Sequence, residues 1–144
     1  MALRYWTGGH TKHRLLVHLV WIPKYRKRLL QGQIAVRLRH FLYEAAKVHW
    51  WWIEELKILP DHVHCLIQIR PTETIAEVVQ HLKGGTSYKL QKEYPELEEF
   101  IWGANLWADG YFAETVGAQS VAAVKKYIQE NKASMPQVPR SRGL

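Results

Sequence analysis

The stretch WWWIEELKILPDHVHCLIQIRP, residues 50–71, contains two strand-like runs joined by a pair of turn residues. Residues 50–59 and 62–69 are rich in aliphatic and aromatic side chains, whereas Pro60 and Asp61 between them favour a tight turn. The stretch therefore predicts a β-hairpin, and a hairpin in the middle of the chain restricts which folds the flanking elements can form.

A strand and a helix are predicted before this hairpin. The run HRLLVHLVWI, residues 13–22, is rich in Val, Leu and Ile and stops at Pro23, so it predicts a buried strand. From Gln33 to about Val48, apolar residues recur at helical spacing with charged residues between them. This pattern indicates an amphipathic helix.

A second helix is predicted after the hairpin. Either Thr72 or Thr74 can cap it. We expect this helix to halt near Gly84 and Gly85, because glycine is typical of helix ends, and a weaker helical stretch to follow over 86–94.

The closing part of the chain predicts a fourth strand over 110–117 and a last helix over 121–132 that Ser120 can cap. The predicted order is βαββαβα. The predicted fold class is α+β, a ferredoxin-like (RRM-like) βαββαβ sandwich with an additional C-terminal helix. Residues 1–133 form a single domain in this interpretation, and the prolines and basic residues of 134–144 predict a flexible basic tail.

Composition favours an acidic partner. The chain has 144 residues and a formal net charge of +7, enough length for one domain with a real core and enough charge to attract a polyanion. Nucleic acid is the first expectation and an anionic membrane the second. Since no apolar run is long enough to span a bilayer and no leader pattern is present, we expect a cytoplasmic protein. The single cysteine, Cys65, has apolar neighbours, which favours a buried small hydrophobe over a nucleophile.

Strand alternation divides residues 62–69 into two faces. One face carries His62, His64, Leu66 and Gln68, and the other carries Val63, Cys65, Ile67 and Ile69. Since the apolar set should pack against the helices, the two imidazoles lie side by side on the opposite, more polar face, close enough to bind one divalent ion. Two strand histidines that only hydrogen-bond to neighbours are the alternative, and a complete metal site needs a further ligand.

On the last helix, Tyr127 and Asn131 are four residues apart and therefore share a face. They lie beside an apolar stripe formed by Val121, Val124 and Ile128. A phenol and an amide oxygen could thus be presented to the same place. A tyrosine at the border of an apolar stripe is also common as a core residue.

Basic and aromatic side chains supply candidate contacts to nucleic acid. The candidates for phosphate contacts are Lys24, Arg26, Lys27 and Arg28 after the first strand, Lys83 before the paired glycines, and Lys125 and Lys126 on the last helix. Solvated surfaces are the alternative for these clusters. Trp50, Trp51 and Trp52 could stack on bases, but a strand alternates faces, so at least one should be core, and we favour core for the others.

Three segments together resemble the small single-tyrosine transposases of bacterial and archaeal insertion sequences, the IS200-like members of the HUH endonuclease superfamily. They are HLVWIPKYRKR (18–28), LPDHVHCLIQI (59–69), and YFAETVG with VKKYIQEN (111–117 and 124–131). The HLKGG stretch at 81–85 also fits. The resemblance runs from about residue 10 to 133.

This resemblance implies an enzyme that cleaves and rejoins single-stranded DNA at insertion-sequence ends. It assigns His62 and His64 as metal ligands and Tyr127 as the nucleophile that forms a 5′-phosphotyrosine. It also implies hairpin DNA at the element ends as substrate, and a homodimer with composite active sites in which two chains exchange the tyrosine helix.

The third metal ligand is the position where the chain departs from the family, which commonly has Gln one turn after the tyrosine. This chain has Asn131 there, with Gln129 and Glu130 as alternatives. We prefer Asn131 because Gln129 points about 200° around the helix from Tyr127. Oxygen ligands and phosphate favour Mg²⁺ or Mn²⁺.

Three other functions remain open from sequence. A non-catalytic single-strand-binding module can use the same βαββαβ sheet, although Phe or Tyr should then replace the histidines on the exposed face. A domesticated relative that processes chromosomal repeats would carry the same site. A hydrolase of small phosphoesters would form no covalent tyrosyl adduct.

Overall fold

The computed structural model of the protein describes residues 6–7, 12–102 and 105–130. The strands are β1 (Trp6–Thr7), β2 (Lys12–His13), β3 (Leu15–Trp21), β4 (Trp52–Leu59), β5 (His62–Ile69) and β6 (Phe112–Val116). The α-helices are α1 (Gly32–His49), α2 (Ile75–Glu93), α3 (Glu98–Ile101) and α4 (Val121–Glu130). The predicted tail at 134–144, Asn131 and Lys132 lie outside the described residues.

Four strands form an antiparallel sheet in the order β4-β5-β3-β6. The predicted hairpin is β4 and β5, in which Leu59 pairs with His62 across the Pro60-Asp61 turn. Helix α1 connects β3 to β4 and α2 follows β5, which is the predicted ferredoxin-like order, and α4 is the predicted additional helix. The α+β fold class is confirmed. Strands β1 and β2 form a separate two-stranded ribbon.

Each face of the sheet has its own hydrophobic core. On one face, Val63, Cys65 and Ile67 of β5 pack in a large cluster that includes Leu38 of α1 and Leu82 of α2. The alternation predicted for β5 is therefore confirmed. On the other face, a smaller cluster of Leu16, Leu66, Val116, Val121 and Ile128 joins the sheet to α4. The face that the sequence predicts as polar is covered by α4.

The predicted end of the second helix at Gly84 and Gly85 is wrong. Helix α2 runs through both glycines without interruption to Glu93. Leu82, Thr86, Ser87 and Leu90 on either side of the glycines are buried, so packing of this face stabilises the helix across them. Its start is as predicted: Thr74 is the N-cap, and its side chain and that of Glu77 form a capping box.

Of the three consecutive tryptophans, only Trp51 lies in the core, at 3% exposure, with its Nε1 donating to Glu73 Oε1 over 2.8 Å. Trp50 is 66% exposed and Trp52 is 37% exposed, so the expectation of core positions for these two is wrong. Trp50 ends α1 in a left-handed conformation with a φ of 64°, and strand β4 begins only at Trp52. The predicted alternation therefore does not apply to Trp50.

Three further expectations concern single features. Cys65 is fully buried, and burial raises the pKa of its thiol to about 12, which agrees with a structural role. Ser120 is the last residue of a 3₁₀ turn, and α4 begins directly after it at Val121. Within the described residues, no helix combines the length and apolar character that crossing a membrane requires.

Candidate active site

His62 and His64 both point to the face of the sheet that α4 covers, because they alternate with the core residues of β5. His62 is 6% exposed and His64 is fully buried. Their ring centroids lie 5.1 Å apart, with the ring planes at 78° to each other. The two imidazoles are thus neighbours held in different orientations.

The Nδ1 atom of each ring has a partner. His62 Nδ1–H donates to Asp61 Oδ1 over 2.8 Å, and Asp61 Oδ2 accepts from Arg26 Nε over 3.1 Å. Burial opposes ionisation of Asp61, but the hydrogen bond from His62 and the charge of Arg26 hold its pKa below the usual range. Since an ionised carboxylate only accepts hydrogen bonds, His62 Nδ1 carries a proton, and Nε2 is the ring atom left to offer a lone pair to an ion.

His64 is oriented by another histidine. Its Nδ1 lies 3.1 Å from His18 Nε2, and the two rings stack with centroids 5.3 Å apart. Burial lowers the pKa of His64 to about 3, with smaller contributions from the charges of His18, His62 and Lys57, and burial lowers the pKa of His18 to about 4. Both rings are therefore neutral at pH 7, and one of them donates to the other.

The Nε2 atoms of His62 and His64 are buried and have no hydrogen-bond partner among the residues that the structure describes. A buried polar atom without a partner is costly, and ligation of a cation would satisfy both atoms. The pair fits a divalent ion, since neutral imidazoles with Nδ1 engaged elsewhere are typical ligands. The described residues hold no arrangement of three or more His, Cys, Asp or Glu suited to a metal. A complete site would need a further ligand from outside that set.

His18 is a site residue that the sequence reasoning missed. The run 13–22 predicts a strand buried on both faces, and such a strand gives no reason to single out one side chain. The signal was present in the alternation, because Leu16, His18 and Val20 share one face and β3 pairs with β5 in the sheet, where Val20 faces His64. Knowing that β3 pairs with β5 would have placed His18 beside His62 and His64.

Tyr127 lies over these histidines. Its ring centroid is 5.8 Å from that of His64 and 6.2 Å from that of His18, with nearly perpendicular planes in both cases. Beside it, between α4 and strands β3 and β6, is a cavity of about 290 Å³ lined in part by His18, Glu114, Ser120 and Ala123. The small side chains at 120 and 123 leave this space open next to the phenol.

Contacts with β4 fix the position of α4. Lys125 forms an ion pair of 3.3 Å with Glu54, whose side chain is only 2% exposed. The Gln129 side chain donates to Glu55 over 2.8 Å, and the Gln129 carbonyl accepts from Lys57. Gln129 thus contacts the sheet edge, not the histidines. Glu130 Oε2 lies 4.0 Å from Lys126 Nζ. Asn131, the preferred third ligand, lies outside the described residues.

The predicted phosphate-contacting residues occupy different environments. Arg26, Lys27 and Arg28 are exposed in the loop after β3, and Arg26 links this loop to His62 through Asp61. Lys83 instead donates to the carbonyls of Ala108 and Gly110 over 2.7 and 3.0 Å, and burial lowers its pKa. This contact set favours a structural role for Lys83.

The last two lysines in that set lie on α4. Lys125 is paired with Glu54 as described, whereas the side chain of Lys126 is 73% exposed. Lys24, at the start of the basic loop, is half-buried. Phosphate contacts by all of these residues stay a prediction.

Most of the chain is similar in sequence to known transposases. The sequence model of the family described as "Transposase IS200 like" matches residues 11–131. The ISDra2 transposase TnpA of Deinococcus radiodurans is 35% identical over 117 residues, which cover 81% of this chain and 84% of that protein. The transposase of insertion sequence element IS200 from Salmonella typhimurium is 28% identical over 121 residues, covering 84% and 79%.

Solved structures of two transposases are similar in fold to this chain. A crystal structure of a Deinococcus radiodurans protein described as a transposase superposes with a TM-score of 0.72 at 30% identity, covering 89% of this chain and 98% of that one. A REP-associated tyrosine transposase bound to a REP hairpin shares the fold, with a TM-score of 0.60 at 16% identity over 90% of this chain and 72% of that one. With a family match over most of its length, the chain belongs to the IS200-like transposase family.

Proposed function

We propose that this transposase cleaves and rejoins single-stranded DNA through a covalent 5′-phosphotyrosine formed on Tyr127, in a reaction that depends on a divalent ion. The observation that carries the proposal is the position of the Tyr127 ring, 5.8 Å from His64 at the one place where two buried imidazole Nε2 atoms are left unsatisfied by the described residues. A tyrosine next to two imidazole nitrogens that can bind a cation suits phosphoryl transfer.

His62 and His64 would hold the ion through Nε2, with Asn131 as the proposed third ligand. When bound, Mg²⁺ or Mn²⁺ would supply positive charge to a phosphate oxygen and to the departing 3′-oxygen. Asp61 and His18 keep the two rings turned so that Nε2 faces that place. The cavity beside Tyr127 and His18, at about 290 Å³, has the volume for a phosphate group, since one water molecule takes about 30 Å³. Its described lining residues do not include His62 or His64.

In the proposed cleavage, Tyr127 Oη bonds to phosphorus as the bond from phosphorus to the 3′-oxygen breaks. The phenol loses its proton in this step, because a free tyrosine has a pKa of about 10 and is protonated at neutral pH, and the departing 3′-oxygen takes one up. Attack by another 3′-OH on the phosphotyrosine reverses the exchange: the new phosphodiester forms, and Tyr127 recovers its proton. No ATP is consumed, because each step exchanges one phosphate ester for another.

The test uses labelled single-stranded hairpin oligonucleotides incubated with Mg²⁺ or Mn²⁺ and separated on a denaturing gel. We expect a covalent adduct with the wild-type protein and none with Tyr127→Phe, which should still bind the DNA. Tyr88→Phe is the matched control, since Tyr88 is an exposed tyrosine on α2. An adduct that persists in Tyr127→Phe, or disappears only in Tyr88→Phe, would reject Tyr127 as the nucleophile.

The ligand assignment has its own measurement. The double variant His62→Ala/His64→Ala should bind Mn²⁺ much more weakly than wild type in a calorimetric titration, and Asn131→Ala should lose less than either single histidine variant. A larger effect of Gln129→Ala than of Asn131→Ala would transfer the third position to Gln129. Unchanged Mn²⁺ binding by the double variant would place the ion elsewhere.

We also propose that the protein acts as a homodimer on DNA with hairpins near the element ends, as the family resemblance implies. One solved protein of this fold carries a REP hairpin, although that likeness concerns the fold. Exchange of α4 between two chains would break the Lys125–Glu54 and Gln129–Glu55 contacts and place Tyr127 over the partner's histidines. Gly117 and the short turn at 118–120 connect α4 to the sheet and would have to change direction.

Mixed dimers distinguish an exchanged helix from the docked one. Tyr127→Phe chains and His62→Ala/His64→Ala chains are each expected to be inactive alone. Cleavage recovered in their mixture would show that one chain supplies the tyrosine and the other the histidines. A mixture that stays inactive while dimers form would show that each site is built within one chain.

A further inference from the structure

Two large aromatic side chains contact each other on the surface, outside the proposed active site of His62, His64 and Tyr127. Tyr25, in the loop after β3, is 60% exposed, and Trp102, after α3, is 78% exposed. Their ring centroids lie 6.0 Å apart with the planes at 55°. We call them the aromatic pair.

Both residues of the aromatic pair have an uncommon, left-handed backbone conformation. Tyr25 has a φ of 57° and Trp102 a φ of 50°, and Arg26 follows Tyr25 with a φ of 51°. Trp102 takes this conformation as the residue that ends α3, as Trp50 does at the end of α1. Tyr25 and Arg26 instead lie in the loop after β3, and left-handed residues of that kind concentrate at ligand contacts and switch regions. Among the described residues, Trp50 is the other non-glycine with positive φ.

The loop that carries Tyr25 is fixed against the segment that follows Trp102. Lys24 N–H donates to the Leu106 carbonyl over 2.8 Å, and Ala108 N–H donates to the Ile22 carbonyl over 3.0 Å. Pro23 also pairs with Trp107 in an isolated bridge. These bonds bring the aromatic pair together without any ligand, so ring contacts with DNA would cost little ordering entropy.

Charge and position both suit a DNA strand. Tyr25 stands among Lys24, Arg26, Lys27 and Arg28, so a phosphate backbone passing the rings would meet cations. Arg26 donates to Asp61, and Asp61 accepts from His62, so the loop is joined by two hydrogen bonds to the proposed metal site. A strand whose phosphate lay at Tyr127 would have neighbouring nucleotides within reach of this loop.

We propose that the aromatic pair is a stacking site for an unpaired nucleobase of the single-stranded DNA, on a nucleotide near the cleaved phosphate. This inference rests on the proposed function. A base does not fit between the two rings, because insertion between parallel planes needs about 7 Å, twice the base spacing, and these centroids are 6.0 Å apart. The base stacks on the outward face of the Trp102 indole, and Tyr25 supports the indole from the side. Stacking of this kind tolerates any base, since each has a π face.

The experiment measures binding of a labelled single-stranded oligonucleotide by fluorescence anisotropy, with Tyr127→Phe as the parent protein so that cleavage does not interfere. We expect Trp102→Ala to weaken binding about tenfold or more, Tyr25→Ala to weaken it less, and Trp102→Phe to retain most of it. Because no charge is removed, the dependence of the affinity on salt should stay unchanged. Thermal unfolding verifies that the variants are folded.

Tyr43→Ala is the matched control, since Tyr43 is also an exposed aromatic residue but lies on α1, outside the basic loop. It should bind as the parent does. A scan of abasic positions through the oligonucleotide should find one position that weakens binding to the parent and has no effect in Trp102→Ala.

Two results would overturn the inference. Binding by Trp102→Ala that equals that of the parent would show that no base stacks there, and an equal loss in Tyr43→Ala would show a general effect of removing an aromatic side chain. Both outcomes are independent of the covalent adduct, so a failure of the stacking site and a failure of the proposed chemistry are told apart.

Discussion

His18 is the hydrogen-bond partner of His64 Nδ1. For His64 to present a lone pair at Nε2, its Nδ1–H must donate to His18 Nε2, and these atoms lie 3.1 Å apart. We therefore expect His18→Ala to weaken Mn²⁺ binding by about 10–100-fold, the range found when the orienting partner of a metal ligand is removed. Calorimetric titration of the folded variant measures this.

The control for His18 is His40→Ala, because the His40 side chain is exposed on α1 and its contact with Glu44 is remote from the sheet face covered by α4. It should bind Mn²⁺ as wild type does. Wild-type affinity in His18→Ala would mean that burial alone orients His64, and His18 would then be only a core residue.

Cys65 should be inert in the folded protein. Burial raises the pKa of its thiol from 9.0 to about 12, so the thiolate that reacts with disulfide reagents is scarce at pH 8 and stays scarce until the pH approaches 12. We expect no labelling by an aromatic disulfide reagent at pH 8 without denaturant and rapid labelling after unfolding. Fast labelling of the native protein would show that the core around β5 opens readily.

At the residue level, sequence predicted what strand alternation controls. His62 and His64 occupy one face of β5 and Cys65 the other, as the period of two requires. His18 was missed because its contact with His64 spans 46 residues and depends on which strands pair. Trp50 was misassigned because one left-handed residue ends the helix there and removes it from the strand.

Helix α2 contains two adjacent glycines in its interior, where glycine does not stabilise a helix. Gly84 and Gly85 are exposed, and a Cβ added at either position would meet no atom within 4 Å. Since glycine in a helix interior is less stable than alanine by about 0.5–1 kcal/mol, we expect Gly84→Ala and Gly85→Ala each to raise the free energy of unfolding by that amount. Urea unfolding followed by circular dichroism measures this.

Thr74→Ala tests the same helix in the opposite direction. It removes one side of the capping box and should lower the free energy of unfolding by about 1 kcal/mol. If either alanine variant at the glycines were less stable than wild type, the two positions would need conformational freedom that a continuous helix does not use.

At the level of elements, sequence predicted those with strong local signals. The hairpin, α1 and the start of α2 have turn residues, periodicity or a cap at the expected positions. The continuation of α2 depends on the burial of Leu82 and Leu90 against other elements, and local propensity does not contain that information. The same applies to α3, which is only four residues long.

For the whole molecule, the position of α4 is the feature that sequence periodicity could not supply. Its apolar stripe predicts that Val121 and Ile128 are buried but not on which surface, and the ion pair of Lys125 with Glu54 is formed only after the helix has docked. The family resemblance implies an association of Tyr127 with the histidines of a partner chain, whereas the structure places Tyr127 over His64 and His18 of its own chain.

The net charge of +7 predicts binding that is strongly dependent on salt. If Lys24, Arg26, Lys27 and Arg28 each contact one phosphate of a single strand, the logarithm of the association constant should fall with the logarithm of salt concentration with a slope of about −3. The double variant Lys27→Ala/Arg28→Ala should make this slope shallower by about 1.4 units. Anisotropy titrations at several salt concentrations measure the slope.

Lys47→Ala/Lys92→Ala removes the same charge from exposed positions on α1 and α2, on the opposite side of the sheet from α4. If long-range attraction by the net charge governs binding, both double variants should lose affinity equally. If the loop after β3 contacts the strand directly, only Lys27→Ala/Arg28→Ala should change the slope. We expect the second result, because this loop is the basic segment that hydrogen bonds connect, through Asp61, to His62.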